Sequence, residues 1–384
     1  MSKRYAAVAI TKHGVETARR LAEAFRDTDV FAPGKFARGD EAPLGITLFE
    51  GPVKPLLAQL FSTYNGLILF ISLGAAVRMI APLLEDKTRD PAIVVADELG
   101  LHAISMLSGH LGGGNELTLK VAEALGAHPV ITTASDVQGT IAVDLFGRRF
   151  GWEIENFGKT TTVSASVINE ERIAVIQEAG EPSWWERDNP LPSNITSYRS
   201  ALDAMEAGFD AALVVTDRLL EQEEEQALLG NGILYRPKSL ILGIGCNRGT
   251  SAEEIEQTVL SSLAELRLSV KSVRGAATID LKKNEQGLLD VCRKYGWTLD
   301  FYNPEQLNEI PLRNPSETVY RHTGAYGVSE PAALRASGAS DWLLEKKKQG
   351  NVTLSIARIP VSTPESVSGL PRYERCDEEG GGRT

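Results

Sequence analysis

The sequence predicts a multidomain α/β protein, with two α/β sandwich-type units of largely parallel sheet joined by a less regular middle α/β region. Three observations carry this. At 384 residues the chain exceeds one ordinary core, since domains run to about 100–200 residues. Short unbroken apolar runs alternate with segments whose apolar residues recur at helical spacing, the pattern of strands buried on both faces beneath helices. Glycine turns stand where such strands pass into helices, as open α/β sheets require.

In chain order, Met1 to Tyr5 passes directly into a strand-like Ala6 to Ile10. Ile46 to Phe49 reads as a strand, and Val53, Leu56, Leu57, Leu60 and Phe61 fall on one helix face. Gly66 to Ile71 is a continuous apolar strand, Val77, Ile80, Ala81 and Leu84 mark a short helix, and Ala92 to Ala96 is a second buried strand. After the polar pair Asp97-Glu98, a glycine run opens a helix with Leu117, Val121 and Leu125 on its apolar face, and Pro129 to Thr132 closes a first domain over 1–138. A middle region over 139–236 holds strands at Ile173 to Gln177 and Ala211 to Thr216, a breaker-rich loop from Glu181 to Pro192, and a solvated acidic run from Glu221 to Gln226. A third domain over 237–362 opens with a strand from Ser239 running into a glycine turn. It continues with a helix carrying Ile255, Val259, Leu263 and Leu266, and with strands at Leu268 to Val273, Thr298 to Tyr302 and Val352 to Ile359. Helices are expected at Glu285 to Lys294 and Glu330 to Ala336, and residues 363–384, rich in Pro, Ser, Glu and Gly, read as a disordered tail.

Composition narrows the function classes. Apolar residues make up 42% and charged residues 24%, and no apolar run approaches the length of a membrane span, about 20 residues. The first residues carry no secretory pattern, which with the scattered Cys246, Cys292 and Cys376 points to a cytoplasmic protein without a disulfide framework or cysteine zinc site. A net charge of −11 disfavours nucleic acid and anionic membranes as partners, because both are bound through clustered cations. Anionic small molecules stay compatible, held by local helix N-termini and single arginines.

The densest chemistry lies in Ser108-Gly109-His110-Leu111-Gly112-Gly113-Gly114-Asn115-Glu116. Its glycines allow close backbone approach and an amide-lined concavity at a helix start. Gly109 and Gly114 have phosphate-loop spacing, but Asn115 stands in place of the lysine and Glu116 in place of the hydroxyl residue, which argues against ATP. His110 reads as a general base kept neutral by the helix N-terminus, or as a hydrogen-bonding residue that holds the turn. Ser108 reads as an oxyanion donor, with no nucleophile elbow around it. Asp97, Glu98 and His102 follow a buried strand, where α/β sheets place ligands, or else form a surface turn. Arg78 is a carboxylate clamp or an exposed arginine.

In the third domain Gly243-Ile244-Gly245-Cys246-Asn247-Arg248-Gly249 approaches a dinucleotide fingerprint, but its last glycine comes one residue late. The turn retains anion-binding capacity at the helix start, and Cys246 reads as a small buried residue. Thr278, Asp280 and Lys282 either share a strand face or mark a helix entry capped by Asp280. His322 and Thr323 lie at the mouth of a glycine loop, Arg321 to Pro331, that leads into a helix capped by Ser329.

Taken together, Gly66 to Arg78, Asp97-Glu98, Leu107 to Asn115, Gly243 to Gly249 and Gly324 to Ala333 resemble the cobalt-precorrin-5A hydrolase (CbiG) family of anaerobic cobalamin biosynthesis. Residues 46–137 and 239–340 carry the likeness, the middle matching by position, and Gly113-Gly114-Asn115 replaces the Gly-Ala-Asn of many relatives. The C-terminal unit also resembles a stand-alone protein of the aerobic pathway. The resemblance implies hydrolytic opening of the δ-lactone of cobalt-precorrin-5A, with loss of acetaldehyde to give cobalt-precorrin-5B. It implies no resident cofactor, the cobalt arriving in the substrate, and transient contact with pathway methyltransferases. On this reading His110, oriented by Glu116 or Asp97, activates water, while Ser108 and the amides of the run stabilise the oxyanion. Arg78, Asp97, Gly112, Gly113, Asn115, Gly245, Arg248, Asp280, His322 and Thr323 are the expected substrate contacts. A non-catalytic tetrapyrrole carrier of the same pathway is the alternative.

Overall fold

Strands without a single exposed residue form the middle of the first sheet in a computed structural model that describes residues 4–361 apart from Lys87 and Glu186. The tail expected over 363–384, with Cys376, lies outside the described residues. Contacts divide the chain into two units, one holding the chain to Phe146 with Thr160–Glu171 and Asn189–Pro192, the other Gly147–Lys159, Arg172–Asp188 and the chain from Ser193 onward.

In the first unit β1 (Tyr5–Ala9), β2 (Thr28–Pro33), β3 (Ile46–Phe49), β4 (Gly66–Phe70), β5 (Ala92–Ala96), β6 (His102–Leu107) and β7 (His128–Val130) form one sheet in the order β3-β2-β1-β4-β5-β6-β7. Its helices are α1 (Lys12–Ala24), α2 (Val53–Thr63), α3 (Leu73–Ile80), α4 (Gly114–Leu125), α5 (Ala134–Val137) and α6 (Thr160–Ile168). Side chains alternate across each strand, so the apolar runs feed two cores. Ala7, Ile68, Phe70 and Val94 pack with Val15, Leu21, Leu117 and Val121 of α1 and α4. Ala6, Val8, Leu67, Leu69 and Ile93 pack with Leu57, Leu60, Ala76 and Ile80 of α2 and α3. The sequence is legible here because both faces are covered, and full burial of each such Leu or Ile stabilises by about 1.5–3 kcal/mol.

Strands β1 to β5 run parallel, and β1 and β4 are neighbours although β2 and β3 separate them in the chain. The strand order therefore reverses between β1 and β4. Strand β6, absent from the sequence reading, runs antiparallel to β5, with Ala103 beside Ala96 and Leu107 beside Ile93. Its C-terminus thus emerges where β5 begins.

The second unit contains β8 (Glu153–Ile154), β9 (Ile173–Gln177), β10 (Ile195–Tyr198), β11 (Ala211–Val215) and β12 (Gly232–Arg236) in the order β10-β9-β11-β12-β8. It also contains β13 (Leu240–Cys246), β14 (Val273–Ile279), β15 (Thr298–Tyr302), β16 (Leu344–Gln349) and β17 (Val352–Arg358) in the order β15-β14-β13-β17-β16. Helices α7 (Ala201–Ala207), α8 (Gln222–Leu229), α9 (Ala252–Glu265), α10 (Gln286–Tyr295), α11 (Pro304–Asn308), α12 (Glu317–Thr323) and α13 (Ser329–Ser337) flank them. Strands β13, β14 and β15 are parallel and β17 is antiparallel to β13.

Several expectations need correction. The acidic run at 221–226 is solvated as expected, but it is also helical, entering α8 because Glu221 and Glu224 make a reciprocal capping box and Leu228 is buried. Leu268 to Val273 is not a strand: a single tight turn occupies Val270–Ser272, and the strand starts at Val273. The last helix is flanked by Val328 rather than capped by Ser329, whose hydroxyl turns inward and donates to Glu330 Oε2 at 2.9 Å. No helix among the described residues is long and apolar enough to cross a membrane.

Within the second unit, Asp217 joins the two sheets. It is 1% exposed, and its two carboxylate oxygens accept from Arg358 of β17, each at 2.7 Å. Ser239 Oγ donates to the same carboxylate at 2.7 Å, and the Asp217 carbonyl accepts the Ser269 amide. Asp217→Ala strands both donors and is expected to lower unfolding free energy by about 2–3 kcal/mol, the low end for a broken buried pair because Arg358 keeps solvent contact. Urea denaturation at neutral pH measures it, and an unchanged midpoint would show that the pair contributes nothing.

Candidate functional site

The glycine run begins in a strained conformation and folds back on itself. Ser108 has φ 55°, and Gly113, with φ 81°, sets the entry to α4. The amides of Gly113, Gly114 and Asn115 donate to the carbonyls of His110, Ser108 and Gly109, each at 2.9 Å. The run therefore does not present those three amides as an oxyanion-binding concavity. Ser108 Oγ is buried and has no hydrogen-bond partner among the described residues. Gly112 lies so close above it that a Cβ there would stand 2.4 Å from Ser108 Cβ.

What the loop does deliver is His110, into a cage of carboxylates. Nδ1 lies 3.0 Å from Asp144 Oδ1 and Nε2 lies 3.1 Å from Asp136 Oδ2, with Ser135 Oγ 3.2 Å from Nε2. Asn115 fixes the second wall, its Nδ2 donating to Asp136 Oδ2 at 2.8 Å and to Thr133 Oγ1 at 3.0 Å while its Oδ1 accepts from Ser105 Oγ at 2.7 Å. His110 is 15% exposed, Asp144 16% and Asp136 35%, so Asp136 is the carboxylate that meets solvent.

Hydrogen bonding to Asp136, then to Asp144, outweighs burial and raises the His110 pKa to about 9. The ring is an imidazolium at neutral pH, a donor from both nitrogens. This overturns the neutral general base expected from proximity to a helix N-terminus, since two carboxylates in direct contact outweigh a partial helix charge. Ser135, Asp136 and Asp144 escaped the sequence reading, and the only local signal was the polar stretch Thr133 to Asp136 after an apolar strand.

The residues expected to orient His110 do not reach it. Glu116 is exposed and pairs with Lys120 at 2.5 Å along α4. Asp97 accepts from the amides of Leu99, Leu101 and His102 at the turn between β5 and β6. Burial pushes the Asp97 carboxyl up, but those three amides hold it below its ordinary value. Arg78 is exposed on α3 and bonds back to the Gly74 carbonyl at 3.2 Å. Asp97 and Arg78 follow the carboxyl ends of β5 and β4, whereas the glycine run adjoins the start of β5. The length of a strand separates these groups, roughly 15 Å at about 3.3 Å per residue.

In the second unit, Gly245 lies in β13 and Arg248 is exposed just beyond it. The amide of Gly249 donates to Glu285 Oε1 at 2.5 Å, and Lys282 holds the other oxygen at 3.0 Å. An internal carboxylate thus occupies the position expected for an anionic ligand. Burial pushes Glu285 up, but the Gly249 amide and Lys282 hold it below its usual value. Burial raises the Cys246 thiol, which makes it a poor nucleophile. Thr278 ends inside the sheet with Oγ1 donating to the Ile244 carbonyl at 2.6 Å, while Asp280 opens a tight turn, so the two do not share a strand face with Lys282. His322 is exposed in the last turn of α12, and Thr323 Oγ1 is bonded to the Val319 carbonyl at 2.8 Å.

Comparison with known proteins accounts for nearly the whole chain. Residues 55–136 match the family description "Cobalamin synthesis G N-terminal", 141–237 match "Cobalamin biosynthesis central region", and 240–357 match "Cobalamin synthesis G C-terminus". A cobalt-precorrin-5A hydrolase of Priestia megaterium is 60% identical over 356 residues, 93% of this chain and 95% of that protein. A cobalt-precorrin-5A hydrolase of Salmonella typhimurium is 30% identical over 90% of this chain and 95% of its own length. Protein CobE of Sinorhizobium is 34% identical over 110 residues, 28% of this chain and 71% of that protein.

The His110 cage has a pH signature. Its folded pKa of about 9 lies above the ordinary 6.5, so the stabilisation is fully present below about pH 6.5 and is lost as pH rises through about 9. The wild-type chain is expected to lose about 2–3 kcal/mol more stability across that interval than His110→Gln. Urea titrations at a series of pH values measure the difference, and parallel curves would exclude a caged imidazolium.

Proposed function

The chain belongs to the CbiG family of cobalt-precorrin-5A hydrolases, and on that premise we propose that it opens the δ-lactone of cobalt-precorrin-5A and releases acetaldehyde, giving cobalt-precorrin-5B. It is a hydrolase of cobalamin biosynthesis. The finer assignment, cleavage of a carbon–carbon bond after lactone opening, is our reading. Cobalt enters as part of the substrate, and no step needs a metal held by the chain.

The observation that carries a site for this chemistry is the His110 imidazolium between Asp136 and Asp144. Water adds to the lactone carbonyl and Asp136 accepts its proton; neutralised, Asp136 gives up the hydrogen bond from His110 Nε2–H, which then donates to the oxyanion. Collapse of the tetrahedral centre breaks the acyl C–O bond, leaving a carboxylate and an alcohol. Deprotonation of that alcohol expels acetaldehyde, and the electron pair of the broken C–C bond passes into the macrocycle. Asp144 and Asn115 are positioning residues here, the first setting the ring through Nδ1 and the second aiming Asp136.

His110→Ala and Asp136→Asn are each expected to lower turnover at least 100-fold, read as aldehyde released from cobalt-precorrin-5A under anaerobic conditions. Near-normal turnover of His110→Ala would remove the imidazolium from the mechanism. Tight stoichiometric binding by the wild type without aldehyde would make the chain a carrier instead.

A further inference from the structure

The rim of the first sheet opposite the glycine run gathers basic side chains that have no carboxylate partner among the described residues. Lys12 and His13 follow β1, Lys54 follows β3, and all three are without a hydrogen-bond or ion-pair partner among the described residues. Arg78 follows β4 and bonds only its own helix at Gly74. Elsewhere in the unit, Arg19, Arg38, Arg89 and Lys120 each hold a carboxylate. In a chain of net charge −11, unneutralised positive charge in one place calls for an explanation.

Their place in the topology supplies one. Lys12 and His13 begin the helix after β1, Arg78 lies on the helix after β4, and β1 and β4 flank the point where strand order reverses. Open α/β sheets bind ligands at that crevice, beyond the carboxyl ends of the strands. The first turn of α1 abuts the end of β4, since a Cβ on Gly14 would lie 3.3 Å from Phe70 Cβ. The carboxylates on this rim are partly committed: Asp97 to three backbone amides, Glu98 to the Thr11 hydroxyl at 2.9 Å. Glu16, one turn after Lys12 on α1, is held by Arg38, and Glu50 packs over Gly34 beyond β3.

The rim is also apolar where a soluble helix is ordinarily polar. Leu73 and Val77, one turn apart on α3, are 42% and 47% exposed, and Arg78 adjoins them. An apolar strip beside loose cations complements a ligand with a flat apolar body and carboxylate arms.

We infer that this rim is a second binding surface for a carboxylate-bearing tetrapyrrole, its ring lying over Leu73 and Val77 and its carboxylates held by Lys12, His13 and Arg78. The ligand class rests on the substrate proposed above, whereas the location rests on the rim alone. A macrocycle here cannot touch His110, because the packed core of the sheet and the length of a strand lie between. The surface therefore holds substrate before, or product after, the hydrolytic step.

Equilibrium titration tests this, with a cobalt corrin carrying free acetate and propionate arms and its counterpart with those arms converted to amides. The wild type is expected to bind the free acid with a component that weakens with salt. In Lys12→Gln/His13→Gln/Arg78→Gln that component falls at least tenfold in affinity. Arg26→Gln, at the opposite rim and also without a partner, retains it, and the amide counterpart lacks it. Unchanged affinity in the triple variant, or an equal loss in Arg26→Gln, would overturn the inference even if cobalt-precorrin-5A is still converted. Absence of aldehyde with the free-acid component intact would overturn the proposed reaction and leave this surface standing.

Discussion

One carboxylate sets the geography of the first unit. Asp97 accepts the amides of Leu99, Leu101 and His102 and so turns the chain back at the end of β5, where a parallel sheet would have led it into another crossover helix. Because β6 then runs antiparallel, the chain that leaves it emerges at the rim where β5 starts. The glycine run, the imidazolium and the segment from Thr133 to Asp144 all stand where they do because of that reversal. Asp97 is part of the machinery, but through backbone geometry at a distance and not as a ligand to His110.

The reversal also explains why the run can be so rich in glycine without acting as an anion nest. A chain leaving β6 must climb over the start of β5 and enter α4 within a few residues, and it does so by bonding its own carbonyls. The amides that close the turn are not available to a substrate. The electrostatic work passes to a side chain: the His110 ring bears a full positive charge under two carboxylates. A cation made by its anions keeps the local balance acidic, in accord with a chain that carries −11 overall, while still offering a donor to a developing oxyanion.

Much of the fold was legible in the sequence, and the exceptions have physical reasons. Gly66–Phe70 and Ala92–Ala96 read as strands because both faces are covered, leaving no polar interruption. Strand β6 was missed because it is only half-buried and lacks an unbroken apolar run, and β16 because its three consecutive lysines look like a solvated loop when they in fact guard a sheet edge. At the site, His110 stood out by its residue type within the glycine run. Its partners did not, since Asp136 and Asp144 lie 26 and 34 residues further on, at spacings that reflect a loop path and no local periodicity. The protonation state of the ring was illegible for the same reason: it belongs to the contact and not to the residue.

The two rims of the first sheet then divide what a single pocket would ordinarily combine. At the amino end of the parallel strands, charge is enclosed and neutralised, with His110 mostly buried and each nitrogen occupied. At the carboxyl end, charge is loose and solvated, with Lys12 and Arg78 exposed and Arg78 next in sequence to the exposed Val77. Enclosed charge suits chemistry, because low dielectric strengthens each donor and fixes its direction. Solvated charge suits capture, because its reach is long and its release is easy at cellular salt. A sheet whose fifth strand hands the chain to an antiparallel neighbour has carboxyl ends on both rims, and so can host both kinds of surface within one core.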